Sequence, residues 1–274
     1  MNNREQKIRN GAVALAILLA FVIIAILGGM IYTISSLLPG SASDTQSTGS
    51  TLCQIYDEIP SELVIDNSMG ELRIEAGDAF KVSGADLLNN FSCDYNNGKM
   101  VIGNSSKGIS LSAGVNPVLT VTIPSGTSLK LLDISAGAGS CDIRDITTDR
   151  FEFETGAGNA VISNLSADYT NISQGAGKLT FTDSALGNLN LECGVGTAYI
   201  SGRVYGICKI ECGIGSVTLD LEGSLDDYEI TTSAGIGAIS INGKKYNNVN
   251  GKNKGADNSI TISGGIGEIT VTIN

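Results

Sequence analysis

Carboxylates recur at matched places in the second half of the chain. Asp133, Glu152, Glu154, Glu192 and Glu211 fall on the polar positions of apolar–polar alternations, and Glu192 and Glu211 are 19 residues apart. Such pairs suit a hard divalent cation, or acid and base roles at a glycosidic bond. Six cysteines, at 53, 93, 141, 193, 208 and 212, add thiols but follow no Cys-x-x-Cys metal pattern. The 274-residue chain has no His, which removes a His-based triad and the commonest zinc ligand. It also has no Trp to floor a sugar site. Gly-x-Gly occurs seven times, yet never as the Gly-x-Gly-x-x-Gly that opens a helix on a phosphate. EF-hand spacing and the nonapeptide calcium roll are absent as well.

The elements that would position these groups are repeated strands. Corner glycines fall at Gly137/Gly139, Gly156/Gly158, Gly175/Gly177, Gly194/Gly196, Gly213/Gly215, Gly235/Gly237 and Gly265/Gly267. The first five pairs are 19 residues apart, then the gaps widen to 22 and 30. Apolar residues alternate on both sides, as in Phe151/Phe153 before a corner and Ala160/Ile162 after it. Each rung then reads as strand, glycine corner, strand and polar turn, such as Ser163-Asn164-Leu165-Ser166. The middle residues, Ala138, Ala157, Ala176, Val195, Ile214, Ile236 and Ile266, are expected to point into the core. No rung buries its inner face alone, so rungs must stack ~4.8 Å apart as an all-β parallel β-solenoid.

Stacking sharpens the chemistry. Glu154, Glu192 and Glu211 become the candidate cation ligands, because like charges ~5 Å apart repel unless bridged; a merely solvated acidic face is the alternative. Cys193 and Cys212 are expected to stack within disulfide range, although the burial habit of Cys favours free thiols. No catalytic residue and no cofactor is expected.

Residues 53–130 read as irregular first rungs covering one end, with strands near 62–66, 71–75, 80–82, 99–103 and 118–123 and turns at Ser68-Met69-Gly70 and Asn96-Asn97-Gly98. Residues 131–274 are the regular repeat. Ile269–Ile273 reads as an uncapped last strand, which invites end-to-end self-association. The loop at 242–259 carries Lys244, Lys245, Lys252 and Lys254 and is a candidate binding face.

Ahead of the repeat, Ala12 to Tyr32 is 21 residues without a charge, ~30 Å as a helix. Residues 11–38 read as a single membrane helix, 1–10 as a cytoplasmic N-terminus and 39–52 as a flexible Ser/Thr/Gly-rich linker. Arg4, Lys7 and Arg9 precede the span, so the rest is expected outside the cell. Beyond it, 14 basic and 27 acidic residues leave −13. That balance disfavours nucleic acid and anionic lipid and favours cationic partners.

The run from Leu119 to Gly139, LTVTIPSGTSLKLLDISAGAG, resembles the DUF4097 family of adhesin-like bacterial β-strand-repeat proteins, and the resemblance extends over roughly residues 60–274. It implies a β-solenoid at the cell envelope and no active site. The expected function is a membrane-anchored, surface-exposed, non-enzymatic adhesin-like structural or interaction protein, meeting a protein or cell-wall partner through the acidic face or the 242–259 loop. The alternatives are a self-assembling envelope scaffold and an accessory protein in envelope-stress signalling. A carbohydrate-active enzyme ranks below them, because an open acidic ladder offers no cleft.

Overall fold

A computed structural model describes residues 50–87, 91–104, 116–233, 235–246 and 248–274. The segment read as membrane-spanning, 11–38, lies outside these residues, as does the linker up to residue 49. Among the described residues no helix is long and apolar enough to cross a membrane. The last linker residues, from Ser50, already belong to a strand, β1 (Ser50–Tyr56).

The described chain is all-β and largely parallel, a β-solenoid-like stack with one short 3-10 turn at Leu225–Asp227. Eight strands build toward and through its middle: β2 (Glu62–Gly77), β3 (Phe80–Leu87), β4 (Phe91–Asn96), β5 (Lys99–Asn104), β6 (Val118–Pro124), β7 (Ser128–Gly187), β8 (Leu189–Tyr205) and β9 (Ile207–Leu221). The period of 19 is a true register. Ile172 pairs with Leu191 and Leu191 with Ile210; Phe181 pairs with Ile200 and Ile200 with Leu219. β2 joins the same stack, with Leu63 on Leu132 and Leu72 on Cys141.

Alternation sorts the side chains as expected. Leu132, Ile134, Phe151, Phe153, Leu179, Phe181, Ile200 and Leu219 are all buried. Volume is traded between rungs, as close packing demands. Phe151 meets Phe181 edge-on with ring centroids 6.4 Å apart, while Ala160 and Ala198 supply small neighbours in the buried set.

The rungs from Ile146 to Val204 have a third side that the sequence reading treated as a polar turn. Leu165 and Ala167, then Ser184 and Leu186, are buried, and Leu186 pairs with Val204 in parallel. A second corner precedes this side. Asp145, Asn164 and Asp183 hold φ of 58°, 54° and 51°, in the left-handed region that Asp and Asn tolerate best. Asn164 Nδ2 donates to Asp145 Oδ1 at 2.7 Å, tying one corner to the next.

Both ends of the stack are covered by antiparallel strands. At one end β5 and β6 lie on the two arms of β2, β4 turns back on β5, β3 on β6, and β1 on β3. The β4–β5 hairpin uses Asn97 and Gly98, both at positive φ, as a two-residue turn requires. At the other end the outermost rung is β10 (Tyr228–Ser233) with β11 (Ile236–Ile241), covered by β12 (Lys244–Tyr246) and β13 (Asn248–Lys252).

The expected free edge at Ile269–Ile273 is therefore wrong. β14 (Asn258–Ile273) is inserted between β9 and the outermost rung: Ile269 pairs with Val217 on one side and Ile239 on the other. Residues 222–227 skip a rung height, steadied by the Ser224 cap on the 3-10 turn and by Tyr228 Oη donating to the Val204 carbonyl at 3.1 Å. Asn242 then seals β14 by accepting from Ile273 N at 2.8 Å.

A Cβ at Gly177, φ 129°, would overlap the carbonyl oxygen of Gly158 one rung away. Gly177→Ala is expected to cost more than about 2 kcal/mol, combining strained dihedrals with a backbone clash. Gly243→Asn, at φ 73° with nothing within 4 Å, is expected to stay within about 1 kcal/mol. Urea unfolding of the two variants measures the contrast.

Candidate functional site

The corner column sets the geometry of the outer surface. At each first and second glycine a Cβ would collide with backbone of the neighbouring rung, as Gly196 with Gly177 and Gly215 with Gly196. The ribbon can approach its neighbour this closely only where side chains are missing. The residue between the glycines then sits at the convex apex of the bend. Its side chain has to leave outward, because Cys193 and Ala198 already fill the inside of that corner.

This overturns the inward reading of the middle residues. Ala138, Ala157 and Ala176 are exposed, Ile214 is half-buried, and Val195, Ile266 and Ile236 are 47%, 46% and 74% exposed. They form one ladder: Ala176 pairs with Val195, Val195 with Ile214, Ile214 with Ile266, and Ile266 with Ile236. An apolar side chain at every apex is the surface feature that sequence reasoning missed. The signal was a slip of phase across the corner: alternation forward from Leu191 and Cys193 would turn residue 195 inward, whereas alternation backward from Ile200 and Ala198 turns it outward.

The carboxylates lie on the outer face of the arm before the corner, as expected. Glu192 is in register with Glu211, one rung away. Lys209 Nζ, two residues along the same strand, meets Glu211 Oε1 at 2.7 Å and relieves the repulsion without a metal. The same bond holds the Lys209 ammonium above its ordinary pKa. Arg150 pairs with Glu152 in the same way, and Asn171 Nδ2 donates to Glu152 Oε2 at 2.8 Å. Asn190 in turn donates to Asn171 Oδ1 at 2.9 Å, extending an amide ladder up the face. Burial, then the neighbouring Glu152, raises the Asp133 carboxyl above the usual range.

The three candidate cation ligands do not converge. Ser173 pairs with Glu192, so it stands in the rung between Glu154 and Glu192. Among the described residues no three His, Cys, Asp or Glu side chains are placed to hold a metal ion. The arrangement is a linear acidic rail beside the apolar ladder, not a chelate.

Four of the six cysteines, Cys141, Cys193, Cys208 and Cys212, are buried in the core. Cys193 is in register with Cys212, and both are free thiols. Burial pushes the Cys193 and Cys141 thiols up to about 12, which keeps them protonated and unreactive at neutral pH. Cys53 on β1 is exposed.

The basic segment at 242–259 is mostly strand, not an open loop. Asn242 and Gly243, both at positive φ, turn β11 into β12, so Lys244 and Lys245 lie exposed on the covering strands of the outermost rung. Lys on an edge strand discourages further pairing.

The family described as Toastrack DUF4097 matches residues 61–235. No curated protein matches the chain. Among solved structures, a candidate cell adhesion protein from Clostridium sporogenes is 17% identical, with 82% of this chain and 100% of that one covered and a TM-score of 0.38. A candidate adhesin from Bacteroides fragilis is 10% identical, with 85% and 100% covered and a TM-score of 0.43. The fold described above rests on this chain's own register.

Alkylation at pH 8 is expected to mark Cys53 in the folded chain and to reach Cys141 and Cys193 only after unfolding, read by mass spectrometry of the peptides. A thiol pKa raised on folding stabilises the protein fully below its unfolded value, about 8.5. That contribution is lost as pH rises through the folded value. Stability should therefore fall from about pH 8.5 upward, and more shallowly in Cys141→Ala/Cys193→Ala, as urea midpoints at several pH values will show.

Proposed function

The chain belongs to the Toastrack DUF4097 family, and on that premise we propose that it is a membrane-anchored, non-enzymatic, adhesin-like interaction protein displayed on the bacterial surface. One observation carries the reading: outward residues of successive rungs stand in register, so the apolar apex residues form a straight ladder and acids and amides recur along the arm beside it. A surface of this kind meets an extended partner over many weak, repeated contacts. Catalysis needs unlike groups brought together at one point, and the carboxylates are strung out along the axis instead.

Anchoring is supported by the composition of 11–38 and the basic residues before it. The partner sides open to proposal are the acidic face and the basic covering strands with Lys244 and Lys245. End-to-end assembly through Ile269–Ile273 loses its basis, since that strand is internal.

A bacterium expressing the full chain with a C-terminal tag tests the proposal. The tag is expected in the membrane fraction after carbonate washing, and protease added to intact cells should release it by cutting near residues 39–49. Deleting residues 11–38 should free the protein from the membrane. A tag that protease reaches only after lysis, or that washes off with carbonate, overturns surface anchoring.

A further inference from the structure

Beyond Met69, which pairs with Ala138, the apex ladder grows along the axis from Ala138, Ala157 and Ala176 to Val195, Ile214, Ile266 and Ile236. Nothing in the packing requires this. An outward side chain at the bend contributes no core volume, and Ser or Asn would fill the place more cheaply in water. Apolar residues at four successive rungs make a contiguous exposed ridge about 15 Å long at ~4.8 Å per rung. Contiguous exposed apolar surface marks interaction sites more often than scattered single residues do.

The flanks say what kind of occupant fits. The paired glycines leave bare backbone on each side of the ridge, so a partner's side chains can lie against it. Acids stand beside three of its four rungs: Glu192 and Glu211 lie three residues before the apex at Val195 and Ile214, and exposed Glu268 lies two residues after it at Ile266. Glu211 is paired with Lys209, whereas Glu192 and Glu268 make no salt bridge among the described residues. A second copy carries the same excess of acids around its own ridge, and like charges oppose its approach. The −11 charge of the whole chain opposes it further.

We infer that the Val195–Ile214–Ile266–Ile236 ridge and the flanking carboxylates of Glu192 and Glu268 together form a docking surface for a basic, amphipathic peptide segment of another protein. Its apolar residues cover the ridge, and its Lys or Arg side chains reach these carboxylates. The inference rests on the interaction-protein reading and gives its partner a chemistry.

The full chain in zwitterionic lipid nanodiscs, titrated into a dye-labelled 12-residue peptide of alternating Lys and Val, tests it by fluorescence polarisation, with empty discs as the blank. Binding that weakens with salt is expected. Val195→Ser/Ile266→Ser/Ile236→Ser should weaken it about tenfold or more, and Glu192→Gln/Glu268→Gln should weaken it and flatten the salt dependence. Ile236→Ser alone, at a 74% exposed position, is the fallback if the triple variant unfolds, and should weaken binding in the same direction. Equal binding of a Glu/Val peptide, or unchanged binding by the serine variants, overturns the proposal. So does a concentration-dependent dimer in sedimentation that the serine variants abolish, which would give the ridge to a second copy. A chain that does not enter the discs counts against anchoring alone and is titrated free in solution, so the two readings fail separately.

Discussion

Glycine packed on glycine is the contact on which the stack depends. At each corner the backbone of one rung lies against the carbonyl of its neighbour, at a distance that excludes a Cβ from Gly158, Gly177, Gly196 or Gly215. That contact pins the register at one point in every turn of the ribbon. Once it is pinned, a residue and the one 19 positions later must coincide, and the two-residue period decides which side chains enter the core. The apex between the glycines is left with one direction to go. Core and outer ladders are thus two outcomes of one steric requirement.

Much of this was legible. The alternation around Phe151, Ile162 and Phe181 marked the buried columns correctly, and Asn97-Gly98 marked a hairpin, because period and turn chemistry are local properties. Asn242-Gly243 was equally good hairpin chemistry, but the lysines after it drew the segment toward a loop. The third side escaped because Leu165 and Ala167 are too few to show a period between polar neighbours. The column of Asp145, Asn164 and Asp183 marks where that side begins, at the repeat's own spacing of 19.

What was not legible is spatial order. β14 reads as one more rung, and nothing in its residues distinguishes a last position from an inner one. Its place follows from the six residues after Leu221, which carry the chain past a vacant level, and from Asn242 closing over Ile273. The outward apex was misread for a related reason. Apolar character was taken to mean burial, whereas at a tight convex bend the available direction decides. The acids were read on the correct face, but their neutralisation by Lys209 and Arg150 runs along the strand, a pairing that spacing between rungs does not reveal.

The two ends share one plan in mirrored chain order. Near the start, the inner rung β2 is made before the outer pair β5 and β6; at the far end the outer pair β10 and β11 precedes the inner β14. For a ribosome or an export channel delivering the chain from the amino end, the near lid closes in the order of synthesis. The far lid cannot. Residues 228–252 must wait, without their parallel neighbour, until residues 258–273 arrive and wedge in like a keystone. A chain cut short before residue 258 would therefore leave the outer edge of β9 without its parallel partner.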